Sequence, residues 1–415
     1  MTRMILEKLK KMFPKSECIK RQLIYAKQNE YRRFAESVPT QENWIVFSSF
    51  AGGSYSCSPR AIYEYMLQSD DYRDFEFIWI LKNIDEFQFL KKNPRTQIVK
   101  YYSKEFWKVY ARAKYWVNNY TMSVYLYPKK DQVYIHTWHG KPIKKIGCDV
   151  NGSLTEWNNY RDILFRYTND VKKMSFLLSC SDFYSDCMRT AFRFDLAGNP
   201  DVLVKTGYPR NDSLFKFTQA DVDRLKQRMG IPVGKKVILY TPTWRPEHYI
   251  KSKGFEYNQK CIDFTKLKRA LGDEYVILFR THHMTVVKDV PEGVINMSDW
   301  PDVNEVFIVS DLMIGDYSGT VYDFAVLKRP MVFYLYDREK YEKLPGVYMD
   351  LDELPGPIVY HEEELGKAIV ETLANFQYDE KYRRFNQKYN PLESIDCARR
   401  TVELCIPPKR KESSV

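Results

Sequence analysis

The chain has 415 residues, of which 44% are hydrophobic and 15% aromatic, and its formal net charge is +10. At about 150 residues per domain, this length predicts two globular domains. No segment approaches the roughly 18 uninterrupted apolar residues of a membrane-spanning helix, and no apolar secretory signal begins the chain. The eight cysteines are scattered without a Cys-x-x-Cys pair, which argues against a zinc site and indicates free thiols in a reducing compartment. We therefore expect a cytoplasmic protein.

The first 35 residues are predicted to form a basic amphipathic helix. Residues 1–33 contain ten Lys or Arg against three Glu, and apolar residues such as Met4, Ile5 and Leu9 share one face. An apolar face opposite a basic one suits the surface of an anionic bilayer. The alternative is an ordinary amphipathic helix packed on its own domain. A smaller basic patch, Pro408-Lys-Arg-Lys, lies near the C-terminus.

From about residue 43, short apolar strands alternate with helical stretches. The first series of strands is predicted at residues 44–50, 75–81, 97–101, 114–118 and 133–136, and the second at 236–241, 275–279, 311–315 and 331–335. This alternation predicts an α/β fold in which parallel sheets are covered by helices on both faces. We expect a basic helical segment (1–40), two doubly wound domains facing a cleft (41–215 and 216–405) and a basic tail (406–415).

The segment 136–147 follows one of these strands and is rich in His and Lys. Gly140 and Pro142 break the chain, so His139 is expected on a rigid loop at the strand's carboxyl end, where a general base can reach an incoming hydroxyl. Three lysines are candidates for holding an anionic acceptor: Lys141, Lys144 and Lys145. The same Gly and Pro argue against a metal site at His136-x-x-His139, because such ligands usually share a helix.

A second candidate site follows the strand 275–279. Arg280 and His282 are expected to bind a diphosphate there and to stabilise charge on a leaving phosphate. Arg245, at the end of another strand, adds a positive charge on the same side. For each of these segments alone, the alternative is an ordinary surface turn.

The third candidate is the segment 310–325, in which an apolar strand runs into a turn of small residues and then a helix. The turn of Ser318, Gly319 and Thr320 is expected to present hydroxyl and N–H groups to phosphate. Asp316 and Asp323 are candidates for binding ribose or polyol hydroxyls. The alternative is that the hydroxyl residues are ordinary helix caps.

Taken in order, these motifs resemble those of the CDP-glycerol:poly(glycerophosphate) glycerophosphotransferases of bacterial teichoic acid and capsule synthesis. The resemblance covers about residues 44–375 and is carried by five motifs and a short downstream segment. These are Trp138-His-Gly-Lys-Pro-Ile-Lys-Lys, Gly207-Tyr-Pro-Arg-Asn-Asp, Thr241-Pro-Thr-Trp-Arg, Arg280-Thr-His282 and Asp316-Tyr-Ser-Gly, followed by Asp323-Phe and Lys328-Arg-Pro. The family often has Pro where this chain has His283, and Ser-Ser where it has Ser318-Gly319.

The resemblance implies two Rossmann-like domains in the glycosyltransferase B arrangement, an N-terminal acceptor domain (41–215) and a C-terminal CDP-donor domain (216–405). It also implies transfer of glycerol phosphate or ribitol phosphate from a CDP-polyol to a lipid-linked teichoic acid or capsule acceptor, with release of CMP. By the same resemblance, His139 matches the family's proposed base, and Arg280, His282, Ser318 and Asp323 match donor-side positions. We assign Arg210, in the turn 207–212, to the acceptor side.

We accordingly expect a peripheral enzyme at the cytoplasmic face of the cell membrane, with no cofactor and no metal. Its partners would be a CDP-polyol donor, a lipid-linked anionic polymer and an anionic membrane surface. A nucleotide-sugar glycosyltransferase of the same architecture is the main alternative. A non-catalytic membrane or nucleic-acid binder is a further alternative, although no base-reading module is evident, and we expect no nucleic-acid partner.

Overall fold

The computed structural model describes residues 5, 16–150, 154–155, 158–250, 254–257, 261–281, 285–287, 290 and 292–408. His282, most of the predicted N-terminal helix before residue 16, and residues 409–415 of the basic tail lie outside the described residues.

The α-helices of the described residues are α1 (Glu17–Glu36), α2 (Cys57–Gln68), α3 (Lys104–Arg112), α4 (Tyr160–Val171), α5 (Asp182–Ala191), α6 (Phe194–Ala197), α7 (Gln219–Arg228), α8 (Phe264–Leu271), α9 (Val303–Val309), α10 (Thr320–Ala325), α11 (Arg338–Lys343), α12 (Glu362–Asn375), α13 (Glu380–Tyr389) and α14 (Cys397–Cys405). The strands are β1 (Gln41–Ser48), β2 (Glu76–Leu81), β3 (Thr96–Lys100), β4 (Ala113–Asn118), β5 (Val133–His136), β6 (Leu154–Thr155), β7 (Asn158–Asn159), β8 (Phe176–Ser179), β9 (Leu203–Lys205), β10 (Lys236–Tyr240), β11 (Tyr249–Ile250), β12 (Gly254–Glu256), β13 (Tyr275–Phe279), β14 (Thr285–Val286), β15 (Val294–Asn296), β16 (Leu312–Gly315), β17 (Met331–Tyr334) and β18 (Ile358–Val359). No helix among these residues is both long enough and apolar enough to span a bilayer.

The first large sheet contains seven parallel strands in the order β3-β2-β1-β4-β5-β8-β9. Its side chains alternate between two cores, since Val46 joins one buried cluster while Ile45 and Phe47 join the other. Helix α3 covers the first of these faces and α2 the second. Burial on both faces explains why its central strands are continuous apolar runs.

The second large sheet contains six parallel strands in the order β15-β13-β10-β16-β17-β18. Val237 and Leu239 face one core, and Ile238 and Tyr240 face the other. The mixed α/β architecture with parallel sheets therefore agrees with the sequence-based prediction. The short strands β8, β9, β15 and β18 are absent from that prediction.

In each sheet the order of strands along the chain runs outward in one direction from a central strand and then in the other. Ligands of such folds bind at this switch point, outside the carboxyl ends of the strands. In the first sheet the change lies between β1 and β4, and in the second between β10 and β16. The segments that follow β10 and β16 carry Arg245, Asp316 and the turn of Ser318, whereas His139 follows β5, the neighbour of β4, and Arg280 follows β13, the neighbour of β10.

Helix α1 packs on the first sheet rather than standing apart from it. Leu23, Gln28, Tyr31 and Ala35 are buried, and Gln28 donates to the carbonyl oxygen of Val124 at 3.1 Å. For residues 17–36, the contacts thus match the packed alternative considered for this helix.

Helix α14 returns the chain to the first sheet. Val402, Cys405 and Ile406 join the same core as Ile45 and Phe47. Asp212 accepts hydrogen bonds from the first backbone N–H groups of this helix, Cys397 N at 3.0 Å and Ala398 N at 2.9 Å. The sequence-based boundaries place Val402 and Cys405 with the second segment (216–405) and Ile406 with the basic tail (406–415), whereas the side chains of all three lie in a core of the first sheet.

Candidate active site

His139 lies on the loop that follows β5, at the carboxyl edge of the first sheet. Its Nδ1 is 2.8 Å from the carbonyl oxygen of Asn119, the loop residue after β4. Because a carbonyl can only accept, Nδ1 carries the proton and Nε2 carries the lone pair. The ring contacts Trp138 at 4.2 Å and Tyr120 at 5.8 Å between centroids. The half-buried imidazole thus has the tautomer that a general base at Nε2 requires.

Asn119 also ties His139 to the loop after β1. Its Oδ1 accepts a hydrogen bond from Phe50 N at 2.7 Å. Phe50 and Ala51 have φ values of 48° and 54°, in the left-handed region that residues with a side chain rarely occupy. Asn119 was not predicted as a site residue, since nothing in its local sequence distinguishes it from other residues at strand ends.

Arg210 links the His139 loop to the second sheet. Its Nη1 donates to the carbonyl oxygen of His139 at 2.8 Å, and its Nη2 pairs with Asp323 of α10. Asn211 Nδ2 donates to the other oxygen of Asp323 at 2.9 Å. The sequence makes Asp323 a candidate for binding ribose or polyol hydroxyls. The structure instead commits both of its oxygens to side chains of the turn 207–212, with 1% of the residue exposed.

Lys141 belongs to the same buried network. Its Nζ lies 2.9 Å from Glu393 Oε1, 2.5 Å from Asn390 Oδ1 and 3.8 Å from Asp323 Oδ1. Burial is the largest single effect and acts to lower the pKa of this ammonium, but the neighbouring groups together, Glu393 first among them and then Asp323, outweigh burial and raise the pKa. Only 2% of Lys141 is exposed, so its ammonium group is not accessible in this structure to the anionic acceptor predicted from the sequence. Its contacts are those of a cross-link between the two sheets.

Gly319 brings the Ser318 turn directly against the His139 loop. A Cβ atom at Gly319 would lie 1.9 Å from the carbonyl oxygen of Lys141. Ser318 Oγ accepts from Thr320 N at 3.4 Å, and Thr320 Oγ1 lies 3.2 Å from Thr241 Oγ1. The structure therefore places the predicted phosphate turn against the loop that carries the predicted base, although α10 is only six residues long.

Arg245 and Asp316 form a second buried network. Arg245 Nη1 is 3.1 Å from Asp316 Oδ2, and Arg245 Nε is 2.6 Å from Asp337 Oδ2. Asp316 also accepts from Thr243 N at 2.9 Å. The guanidinium lies about equally close to the rings of three tyrosines, Tyr317, Tyr336 and Tyr341, at 5.1, 5.2 and 5.0 Å. The charged groups of these two residues are paired with one another and Arg245 also with Asp337, and their binding of the donor stays a prediction.

Lys144 and Lys145 lie where the first sheet's loop meets residues 346–348. Lys144 Nζ is 4.6 Å from the centre of the Trp244 ring, and Lys145 N donates to the carbonyl oxygen of Gly346 at 2.8 Å. Burial, opposed by the charge of Asp316 and assisted by that of Arg245, lowers the pKa of Lys144 to about 8. Lys144 is half-buried, and its role at the acceptor stays a prediction.

Arg280 lies at the end of β13. Its Nη1 donates to the carbonyl oxygens of Met297 at 2.5 Å and Trp300 at 2.7 Å. Burial lowers its pKa to about 10. Among the described residues, its Nε and Nη2 have no hydrogen-bond acceptor in the protein, which leaves one edge of the guanidinium for an anion. His282, predicted as its partner, lies outside the described residues.

Within the ranges that the structure describes, no group of three or more His, Cys, Asp or Glu side chains has the arrangement of a metal site. The absence of a metal and of a cofactor stays a prediction.

Comparison with known proteins bears directly on this site. A family model described as CDP-Glycerol:Poly(glycerophosphate) glycerophosphotransferase matches residues 30–406. The chain belongs to this family. The resemblance predicted from the ordered motifs is thereby confirmed, as is the prediction of a glycerophosphotransferase.

Two curated relatives and one solved structure are similar over most of the chain. A teichoic acid glycerol-phosphate transferase of Staphylococcus aureus (strain NCTC 8325 / PS 47) is 35% identical over 373 residues, which cover 87% of this chain and 92% of that protein. A teichoic acid poly(glycerol phosphate) polymerase of Bacillus spizizenii is 32% identical over 375 residues, 88% of this chain and 92% of that protein. The wall teichoic acid polymerase TagF has a TM-score of 0.77 at 31% identity, covering 93% of this chain and 95% of that chain. The mixed α/β fold with parallel sheets is therefore shared with TagF.

Proposed function

We propose that this protein transfers glycerol phosphate from CDP-glycerol to the terminal hydroxyl of a lipid-linked teichoic acid or capsule acceptor and releases CMP. The two curated relatives both carry glycerol phosphate in their names, which favours glycerol over ribitol as the donor's polyol. The observation that carries the proposal is the position of the His139 loop. His139 Nδ1 contacts the carbonyl oxygen of Asn119, which follows β4 at the strand-order change of the first sheet, and the carbonyl oxygen of Lys141 in the same loop lies against Gly319 in the Ser318 turn of the second sheet.

In the proposed reaction, the acceptor hydroxyl loses its proton to His139 Nε2 while its oxygen attacks the phosphorus that bears the glycerol. The bond from that phosphorus to the bridging diphosphate oxygen breaks, and CMP leaves with the electron pair. The Asn119 carbonyl stabilises the imidazolium that forms, because it accepts a hydrogen bond from Nδ1–H. A base of this kind typically contributes on the order of a hundredfold or more to the rate.

On the donor side, we propose that Arg280, His282 and the turn of Ser318, Gly319 and Thr320 neutralise the diphosphate. Arg280 suits this role because its Nη1 is anchored on two carbonyl oxygens, while the opposite edge of the guanidinium has no acceptor among the described residues. Preorganised donors of this type stabilise developing charge without reorganisation during the reaction. Arg245, Asp316, Asp323 and Lys141 are assigned to holding the loops in place rather than to binding substrate.

We further propose that the two large sheets are the cores of two Rossmann-like domains in the glycosyltransferase B arrangement, with the boundary near residue 215. Helix α14 would then cross back onto the first domain. The basic segment before α1 would hold the enzyme at the cytoplasmic face of the anionic membrane, where a lipid-linked acceptor resides. Residues 1–15 contain five Lys or Arg and one Glu, which supports this position.

The decisive experiment is a donor panel. The purified protein is incubated with an acceptor primer and CDP-glycerol, CDP-ribitol or UDP-sugars, and the released CMP or UDP is measured. We expect CMP release from CDP-glycerol that depends on the acceptor and is lost in His139→Ala. UDP release from a UDP-sugar with none from a CDP-polyol would establish the nucleotide-sugar glycosyltransferase instead.

A further inference from the structure

His136 is a buried histidine that the proposed reaction does not use. It is the last residue of β5, it is 0% exposed, and its Nδ1 accepts a hydrogen bond from Trp138 N at 3.0 Å. With Nδ1 accepting, the proton lies on Nε2, whose closest carboxylate oxygen is Asp170 Oδ2 at 3.7 Å.

Trp138 has a backbone conformation that needs support. Its φ is 52°, in the left-handed region where a bulky side chain is disfavoured. The backbone N–H that donates to His136 belongs to this strained residue, and its carbonyl oxygen accepts from Thr137 Oγ1 at 3.0 Å. The indole also packs on the His136 ring, with centroids 5.7 Å apart and planes 28° from parallel. His136 therefore holds both the backbone and the side chain of Trp138.

The conformation of Trp138 determines where the next residue points. His139 follows it directly, and their rings are 4.2 Å apart. If Trp138 relaxed to an extended conformation, the chain direction at His139 would change and its Nδ1 would leave the Asn119 carbonyl. Misplacement of a reacting group by about 1 Å can reduce a rate on the order of 100-fold.

We propose that His136 is a positioning residue for the reaction: its Nδ1 keeps Trp138 in the left-handed conformation and thereby aims His139 at the acceptor hydroxyl. The inference rests on the proposed role of His139 as the base. The role requires a neutral imidazole, because a protonated Nδ1 would lose its lone pair and could not accept from Trp138. Burial, followed by the charge of His139, lowers the pKa of His136 to about 3 and keeps it neutral.

The charged groups around His136 are consistent with this state. Asp170 faces Nε2 from α4, and it also accepts from Met122 N at 3.2 Å and from the Tyr134 hydroxyl at 3.4 Å. Lys173, just beyond α4, donates to the carbonyl oxygen of Ser123 at 3.2 Å and lowers the pKa of Asp170 against the larger effect of burial. The Asp170 carboxylate thus accepts hydrogen bonds from Met122 N and the Tyr134 hydroxyl, and these bonds reduce its tendency to stabilise a doubly protonated His136.

Three variants separate the hydrogen bond from simple packing. His136→Asn retains an acceptor at the δ position, His136→Leu fills the volume without one, and Tyr134→Phe removes another polar group beside Asp170 from the same strand without touching Trp138. We expect kcat to fall on the order of 10- to 100-fold in His136→Leu, with the KM for CDP-glycerol little changed. We expect His136→Asn to stay within about threefold of the unsubstituted enzyme and Tyr134→Phe to be unaffected.

Equal losses in His136→Leu and His136→Asn would overturn the inference, because packing alone would then explain both. A normal kcat in His136→Leu would also overturn the inference. If His139→Ala retained activity, the proposed function itself would fail, which distinguishes the two failures. One further test needs no variant and therefore remains valid if the variants do not fold. ¹⁵N NMR of labelled histidines in the unsubstituted protein should show His136 neutral, with the proton on Nε2, from about pH 5 to about pH 8. Protonation of Nδ1 in this range would refute the role.

Discussion

Asp323 is the residue whose role differs most between the site predicted from the sequence and the site found in the structure. The sequence motif assigns it to a polyol hydroxyl of the donor, whereas the structure gives it to Arg210, Asn211 and Lys141. Substitution by alanine would leave the Arg210 guanidinium, 10% exposed, without an ion-pair partner among the described residues. Lys141 would keep Glu393 at 2.9 Å.

The magnitude follows from this asymmetry. Removing one partner of a buried ion pair typically costs about 3–5 kcal/mol, because the remaining charge is uncompensated. We expect Asp323→Ala to lower the free energy of unfolding by roughly this amount. Asp323→Asn, which preserves an acceptor oxygen, should cost about 1.5–3 kcal/mol, the contribution of a hydrogen bond to a charged group. Since Arg210 also donates to the carbonyl oxygen of His139, kcat should fall in both variants.

The assay combines urea unfolding, followed by tryptophan fluorescence, with steady-state kinetics at saturating acceptor. The control is Lys388→Gln, which breaks the half-exposed pair with Glu353 at 2.8 Å and should cost no more than about 1 kcal/mol. We expect the KM for CDP-glycerol to be unchanged in the Asp323 variants. A large increase in this KM with normal stability would refute the structural assignment and restore the role in polyol binding.

Four further predictions concern the donor, the metal, the membrane and pH. Arg280→Ala should raise the KM for CDP-glycerol about 10- to 100-fold at saturating acceptor, while acceptor kinetics change little; unchanged donor kinetics would place the diphosphate elsewhere. Activity should survive EDTA, and loss restored by Mg²⁺ or Mn²⁺ would reveal a metal site. Deleting residues 2–15 should weaken sedimentation with anionic liposomes but leave turnover on a short soluble acceptor; equal sedimentation would place the membrane contact in another segment. In the folded protein His136 stays neutral down to about pH 3, whereas in the unfolded chain the same histidine binds a proton below its ordinary pKa of 6.5. The free energy of unfolding should therefore decrease as the pH falls from about 6.5 to about 3, by up to roughly 5 kcal/mol. His136→Asn should make this pH dependence weaker.

The sequence predicts those parts of the site that depend on local order. Buried parallel strands are continuous apolar runs, so β1, β2, β5 and β10 are recognisable, and so is the loop of His139 after β5. The sequence analysis does not predict β8 and β9, which have four and three residues. The predicted positions of Arg280 and Ser318 at strand ends follow from the same local signals.

The sequence does not show which charges neutralise each other. Lys141 and Glu393 are far apart in the chain, and only the return of the chain after α13 brings them to 2.9 Å. Arg245 and Asp316 each follow a different strand, and they meet because β10 and β16 are neighbours in the sheet. A buried charge requires a partner of opposite charge, but which residue becomes the partner depends on how the strands and helices are arranged in the fold. Predicted substrate contacts at such positions are therefore the least secure.

Gly319 illustrates how the topology also determines the meaning of a small residue. Its φ of −62° is open to any residue, so the backbone conformation does not require glycine. Space does, because a Cβ atom would lie 1.9 Å from the carbonyl oxygen of Lys141. A serine here, as in the family pattern, would move the Ser318 turn away from the His139 loop by about an ångström or more before an ordinary contact distance was reached. The spacing between the donor turn and the base in this chain therefore depends on a glycine of one sheet and a backbone carbonyl of the other.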